Sequence, residues 1–304
     1  MLMKTLLTYL ELRRATGFKL QEAERHLHSF VNYAAERGDL LIKTHTVMDW
    51  ATETTKSKGQ RIRRLKDVSR FALFARAEDG RHEIPPESPF GPRKQRPTPF
   101  IYSQDDINRL VQAAAGLGPP SSLRPHTYST LFALLAVTGL RISEALALRL
   151  DEVTLDGLVI RDTKFHKSRL VPLHDTAVEA LEQYIQRRQR IAGACSHLFV
   201  SRLGKPLSYG QVYYVFRQLL KTICLDSRAF PHRPRIHDLR HSFAVRALQA
   251  CPEGRDNVGQ HMLALSTYLG HTGVSNTYWY LQTTPELMRD IANACEGFFS
   301  GGQQ

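Results

Sequence analysis

Four cysteines, at 195, 224, 251 and 295, are all that the 304 residues hold, and no two of them form a Cys-x-x-Cys pair. That spacing excludes a disulfide framework and offers no zinc-finger ligand set. Acidic residues are also scarce: 29 Asp and Glu stand against 41 Lys and Arg, a formal charge of +12. The carboxylates are not clustered as a metal-dependent nuclease would require, so no metal site is predicted. No run of 18 apolar residues occurs, which excludes a bilayer-spanning helix. The opening stretch MLMKTLLTYLELRRATG is interrupted by Glu11, Arg13 and Arg14 and reads as an amphipathic helix, not a signal peptide. A cytoplasmic protein with reduced thiols and no membrane partner is expected. What the chain does have is positive charge, and an excess of this size points to a polyanion, most simply nucleic acid.

The length suits two domains. Residues 1–82 are predicted to be helical. Ala23, Leu27, Phe30, Val31 and Ala34 recur at helical spacing, and Gly38 marks a stop. The segment THTVMDWATET opens with threonines suited to capping. The segment QRIRRLKDVSRFALFARAED interleaves Ile62, Leu65, Val68, Phe71, Leu73 and Phe74 with Arg61, Arg63, Arg64, Lys66 and Arg70. That basic face is either a solvated helix surface or a face that follows phosphates. Residues 83–100, EIPPESPFGPRKQRPTPF, hold six prolines and read as an extended linker carrying Arg93, Lys94 and Arg96. A second domain, 101–304, begins near Ser103, a plausible N-cap before Asp105 and Asp106. In it DGLVIRDTKFHKSRLVPLH alternates and predicts a hairpin or short sheet between about 158 and 173. DTAVEALEQYIQRRQRI predicts an amphipathic helix with an aspartate cap. Further helices are expected over 208–222, 237–250, 258–270 and 275–281 and in the C-terminal segment PELMRDIANACEGFF. The fold class is therefore mainly α with a small β-sheet.

Four fragments carry possible chemistry. In TGLRISEAL a glycine turn delivers Arg141 to the start of an apolar helix, where it must pair with Glu144 or face an anion. In RIHDLRHSFAVRAL, His237 and Arg240 are three apart and share a helix face; a satisfied histidine at a helix start is the simpler explanation, and His237 with His241 is a weak metal signal. LGHTGVSNTYWYL holds His271, Tyr278 and Tyr280. The hairpin holds Lys164, with Lys167 and Arg169 after it; a basic hairpin is usually only solvated.

Taken together, in this order and spacing, the fragments resemble the tyrosine recombinase family, that is, phage integrases and Xer-type recombinases. The resemblance covers residues 100–285. It implies a two-domain clamp on double-stranded DNA: an N-terminal helical core-binding (SAM-like) domain and a mixed α/β catalytic domain. Arg141 matches the first arginine of the family pattern. Lys164, eight residues before the proline of RLVPL, matches the hairpin lysine, with Lys167 as the fallback. His237 and Arg240 match the His-x-x-Arg pair, and His271 the position that is His or Trp. Tyr280, nine residues after His271, matches the nucleophile, which leaves Tyr278 as a packing neighbour. Arg61, Arg63, Arg64, Lys66, Arg93, Lys94, Arg96, Lys167 and Arg169 are the expected DNA contacts. The resemblance further implies cleavage through a phosphotyrosyl intermediate with no cofactor, no metal and no ATP, and a homo-oligomer (a tetramer) or partner recombinases assembled on DNA.

The chemistry of the residues agrees. A covalent intermediate conserves the energy of the broken phosphodiester. Two guanidiniums suit the extra charge of a pentacoordinate phosphorane, and a histidine can accept the phenolic proton. The connection between the His-x-x-Arg helix and Leu-Gly-His is longer than in the compact Xer-type pattern, which favours a mobile-element recombinase. A type IB topoisomerase and a DNA-binding accessory protein are the competing functions. After Tyr280, Leu287, Met288, Ile291, Ala294 and Phe298 form an apolar stripe, for packing within the protomer or on a neighbouring one.

Overall fold

The computed structural model describes residues 2–18, 20–86, 89–91, 98–161, 168–193, 195–225, 233–250, 255–270 and 277. The chain forms two compact units, Met1–Arg96 and Pro97–Gln304.

The first unit is helical: α1 (Leu2–Ala15), α2 (Gln21–Glu36), α3 (Thr44–Glu53) and α4 (Lys58–Glu78). Helix α2 buries Leu27, Phe30, Val31 and Ala34, a stripe at i, i+3, i+4 and i+7, while charged residues take the other face. Helix α4 turns Leu65, Val68, Phe71, Ala72 and Ala75 inward. The two stripes meet around Trp50, whose ring packs edge-on against Phe30 at 5.5 Å while its indole N–H donates to Ser29 Oγ at 3.1 Å. The threonines expected to cap α3 do not do so. Its N-cap is Lys43, which makes no side-chain cap. A glutamate from beyond α4 serves instead: Glu83 Oε2 accepts from the Thr44 N–H at 2.7 Å, and the Glu83 N–H donates to Ile42 O at 2.9 Å. A carboxylate is well placed at a helix N-terminus, and the bond holds the Glu83 carboxyl below its usual range.

The second unit begins with α5 (Gln104–Ala115), α6 (Leu123–Thr138) and α7 (Ile142–Ala147). Ser103 caps α5 as its sequence predicts, accepting from Asp106 N while Asp106 returns the bond to Ser103 N. Helix α6 is apolar nearly all round and runs through the core beside α5 and α8. Gly139 ends it at φ +60°, where an added Cβ would stand 2.5 Å from Phe243 Cδ1. A 3-10 turn at Leu150–Glu152 leads into strands β1 (Val153–Thr154), β2 (Gly157–Ile160) and β3 (Arg169–Val171), an antiparallel meander in the order β1-β2-β3. Leu158 pairs with Val171 and Ile160 with Arg169. The expected hairpin is thus β2 and β3, with β1 as an added short edge.

Helices α8 (Asp175–Ala192), α9 (Tyr209–Thr222), α10 (Ile236–Gln249) and α11 (Arg255–Leu269) complete the described elements. The cap of α8 is His174, whose ring nitrogen accepts from Thr176 N, and Asp175 sits one residue further in. Helix α11 takes up the long connection ahead of Leu-Gly-His. Thr277, buried and helical, falls within the expected helix over 275–281; the rest of that helix and the apolar stripe from Leu287 lie outside the described residues. Where the chain enters this unit, the Tyr102 N–H donates to Ser242 Oγ at 2.7 Å and the Tyr102 hydroxyl to Arg235 O at 3.3 Å, so the entry strand grips α10 at two points. Among the described residues no helix is long and apolar enough to cross a membrane.

Gly157 sits at φ +128°, and a Cβ there would lie 2.3 Å from Val171 O on the neighbouring strand. Gly157→Ala is therefore expected to cost at least about 1–3 kcal/mol, read as a lowered midpoint in thermal or urea unfolding.

Candidate active site

Arg141, His237 and Arg240 are the described members of the expected catalytic set. Lys164, His271 and Tyr280 lie outside the described residues, as do Lys167, Tyr278, Arg93, Lys94 and Arg96.

Arg141 occupies the N-cap of α7, directly after the glycine turn that ends α6. Its N–H donates to Glu144 Oε2 at 3.0 Å, its Nη1 to Glu144 Oε1 at 2.6 Å, and its Nη2 to Gly270 O at 3.0 Å. The pairing with Glu144 and an outward-facing role are both available, since about a third of the arginine side chain stays open (32% exposed). Arg240 reaches from α10 toward the same place. Its Nη1 donates to Gly139 O at 2.8 Å and its Nη2 to Leu269 O at 2.7 Å. The two arginines thus hold consecutive carbonyls, those of Leu269 and Gly270, at the end of α11. The next residue in the chain is His271.

A third guanidinium completes the cluster. Arg169, on β3, donates Nη1 and Nη2 to the two oxygens of Glu144 at 3.2 and 2.7 Å and its Nε to Tyr268 O at 2.8 Å. Its side chain is 11% exposed. These bonds turn the Arg169 side chain into the protein, whereas the expected DNA contact would need it outward. The strand alternation carries the signal for this placement: Arg169 shares a face with buried Val171, while Leu170 between them is exposed. Gly270, at φ +65°, makes room for the cluster, since an added Cβ would stand 2.8 Å from Arg169 Nη1.

Glu144 is the acceptor common to this network. Burial raises its carboxyl pKa, but the Arg169 hydrogen bonds and charge, followed by the Arg141 bonds, outweigh burial and bring it to about 2. His237 moves the other way for a base, down to about 4: desolvation is the largest cause, then the charge of Arg240, with Arg235 and Arg141 adding and Asp238 opposing. The imidazole is therefore neutral at pH 7. Asp238, three residues into the motif, is buried and binds Arg235 through its N–H at 2.8 Å and Nη2 at 2.7 Å, which fixes the first turn of α10. His241 packs edge-on against His237 at 4.7 Å. Among the described residues no group of His, Cys, Asp and Glu could hold a metal ion.

The basic residues expected on α4 are differently employed. Arg61 Nε donates to Thr55 O at 2.8 Å, and Arg64 donates to Thr54 Oγ1 and lies 5.4 Å above the Trp50 ring. Both brace the turn between α3 and α4. Arg63 pairs with Glu22 at 2.9 Å on the surface, and Lys66 is exposed.

Comparison with known proteins bears on the family and the fold. Residues 101–286 match the model of the phage integrase family. The chain is 39% identical over 299 residues to "Putative integrase/recombinase y4rB" of Sinorhizobium fredii, an alignment that covers 95% of each chain. It is 28% identical to the tyrosine recombinase XerD of Bifidobacterium longum, over 79% of this chain and 76% of that one. Its fold is similar to that of the XerH site-specific recombinase in a post-cleavage complex, with a TM-score of 0.67 at 17% identity over 90% of this chain and 78% of that one. A Tn1549 transposon integrase gives a TM-score of 0.65 at 17% identity, over 95% and 98% of the two chains.

The Glu144 carboxyl is ionised in the fold down to about pH 2 and protonates near 4.5 in the unfolded chain. Its contribution to stability is therefore fully present above pH 4.5 and is lost as pH falls toward 2. The difference in melting temperature between wild type and Glu144→Gln is expected to be widest above pH 5 and to narrow steadily below it. The arginine cluster built on that carboxylate, the matched residues 101–286 and the full-length likeness lead to one assignment: the chain belongs to the phage integrase family of tyrosine site-specific recombinases.

Proposed function

We propose that the chain cuts and rejoins double-stranded DNA through a covalent 3′-phosphotyrosyl intermediate on Tyr280, in the integration or excision of a mobile element. The observation that carries this reading is the convergence of Arg141 and Arg240 on the adjacent carbonyls of Gly270 and Leu269. That arrangement sets two guanidiniums beside the point where the chain continues into His271. In this reading Arg141, Arg240 and His271 bind the scissile phosphate and favour the transition state, in which negative charge builds on the non-bridging oxygens. The Tyr280 hydroxyl attacks phosphorus while neutral His237 accepts its proton. The P–O5′ bond breaks, and Lys164 protonates the departing 5′ oxygen. Attack by a different 5′-hydroxyl reverses these steps and completes the exchange. The lowered pKa of His237 leaves its imidazole unprotonated at pH 7, as an acceptor must be, while making it a weaker base.

The first unit is proposed to bind the duplex as well, with Arg63 and Lys66 as phosphate contacts and with Arg93, Lys94 and Arg96, which lie outside the described residues, as further ones. Copies of the chain, or partner recombinases, are proposed to assemble on DNA as a tetramer, in the cytoplasm. The integration reading is supported by the near full-length likeness to the Sinorhizobium fredii protein, whose name is "Putative integrase/recombinase y4rB".

A nicked suicide duplex carrying the element-end sequence, incubated without metal, is expected to give a denaturation-resistant protein–DNA adduct. Tyr280→Phe should abolish it and Tyr278→Phe should retain it; the reverse pattern would move the nucleophile to Tyr278. Affinity for duplex DNA should fall steeply between 50 and 200 mM salt, by on the order of a thousandfold if about six phosphates are contacted. A salt-independent affinity in a filter-binding titration would rule out the phosphate-contact model.

A further inference from the structure

Arg169 lies on β3, outside the set of residues just given roles, yet it is bonded into the arginine cluster as fully as Arg141. It satisfies both oxygens of Glu144 and holds the carbonyl of Tyr268, while Arg240 and Arg141 hold those of Leu269 and Gly270. Three arginines from three separate elements thus bind three successive carbonyls at the end of α11. Glu144 joins two of the three, being bonded to Arg141 from its own helix and to Arg169 from the sheet.

We infer that Arg169 is a positioning residue for the cleavage reaction, which aims Arg141 through Glu144 and sets the direction in which the chain leaves Gly270 toward His271. The inference rests on the recombinase reading above. A single carboxylate with two oxygens has a limited number of geometries in which it can take a bidentate guanidinium on one side and Arg141 on the other. With Arg169 in place, the Glu144 oxygens are fixed and Arg141 Nη1 is held at 2.6 Å. Without it, Glu144 and Arg141 can rotate as a pair, and the carbonyl of Tyr268 loses its donor. Lysine cannot replace it, because a single ammonium cannot span both Glu144 oxygens and the Tyr268 carbonyl with the planar geometry of a guanidinium. Gly270 belongs to the same device, since only a residue without Cβ leaves Arg169 its place. Arg169 stands on β3, so one guanidinium ties that strand to Glu144 and to the end of α11.

The test uses the full chain and the nicked suicide duplex, with Arg169→Lys, Arg169→Ala and Gly270→Ala compared with wild type. Adduct formation rate, duplex affinity and melting temperature are measured for each. Arg169→Lys is expected to bind the duplex within about twofold of wild type but to form adduct about a hundredfold more slowly, the scale expected for a misplacement near 1 Å. Guanidinium at tens of millimolar should partly restore Arg169→Ala, and equal sodium chloride should not; a purely architectural residue would show no such rescue. Gly270→Ala should show the same loss of rate with affinity kept. Wild-type adduct rates in Arg169→Lys overturn the inference. So does a loss of affinity that accounts for the slower rate, which would make Arg169 a DNA contact, and so does failure of every Arg169 variant to fold, which would make it a stability residue. If wild type itself forms no adduct, the recombinase reading fails and this inference with it. A normal Arg169→Lys beside an inactive Tyr280→Phe removes the inference alone.

Discussion

A single buried carboxylate makes the centre of the larger unit possible. Arg141 and Arg169 would repel each other at close range in a medium less polar than water. Glu144 lies between them and takes hydrogen bonds from both on both of its oxygens. The desolvation of that carboxylate is costly, and it is offset only because the geometry is saturated with donors. The other hydrogen bonds of the cluster among the described residues go to backbone carbonyls, which are polar but uncharged and leave the positive charge of the arginines in place. A centre that is to receive a phosphodiester needs such a balance: enough negative charge to hold its arginines in place, and too little to neutralise them.

The same local device starts both helices that carry the arginine and histidine of the proposed centre. Helices α7 and α10 each begin with an arginine followed three residues later by an acid, Arg141 with Glu144 and Arg235 with Asp238. In each, the acid accepts from the N–H of the arginine ahead of the helix and pairs with its guanidinium. A carboxylate in a first helical turn is favoured by the dipole as well. At α10 the arrangement is purely structural and locks the turn from which His237 projects. At α7 the arginine itself is the functional group, so the capping acid and the positioning acid are one residue.

Much of this was legible in the sequence, and the reasons for the misses are specific. Helix periodicity located α2, the serine cap marked the start of α5, and α9 and α10 fall on the spans expected over 208–222 and 237–250. The Arg141–Glu144 pair could be anticipated because three residues on a helix face are neighbours. Arg169 was misjudged because its partners lie 25 and 99 residues away along the chain, and a basic residue in a basic hairpin looks solvated. Counting along the strand from Val171 would have turned it inward. The capping of α3 by Glu83, 39 residues distant, replaced the nearby threonines for the same reason: a tertiary contact overrode a local preference. The basic face of α4 left open a solvated surface or one that follows phosphates, and two of its members, Arg61 and Arg64, also donate to oxygens of the turn between α3 and α4.

The hold of Tyr102 on α10 gives the entry strand a mechanical meaning. Its N–H is bonded to Ser242 Oγ, which in turn donates to Asp238 O, and its hydroxyl reaches Arg235 O. These contacts bracket the first two turns of the helix that bears His237 and Arg240. The chain that enters the unit is thus fastened, at Tyr102, to the helix that presents the proposed proton acceptor, and a pull on it there would bear on the hydrogen bonds around that helix's first two turns.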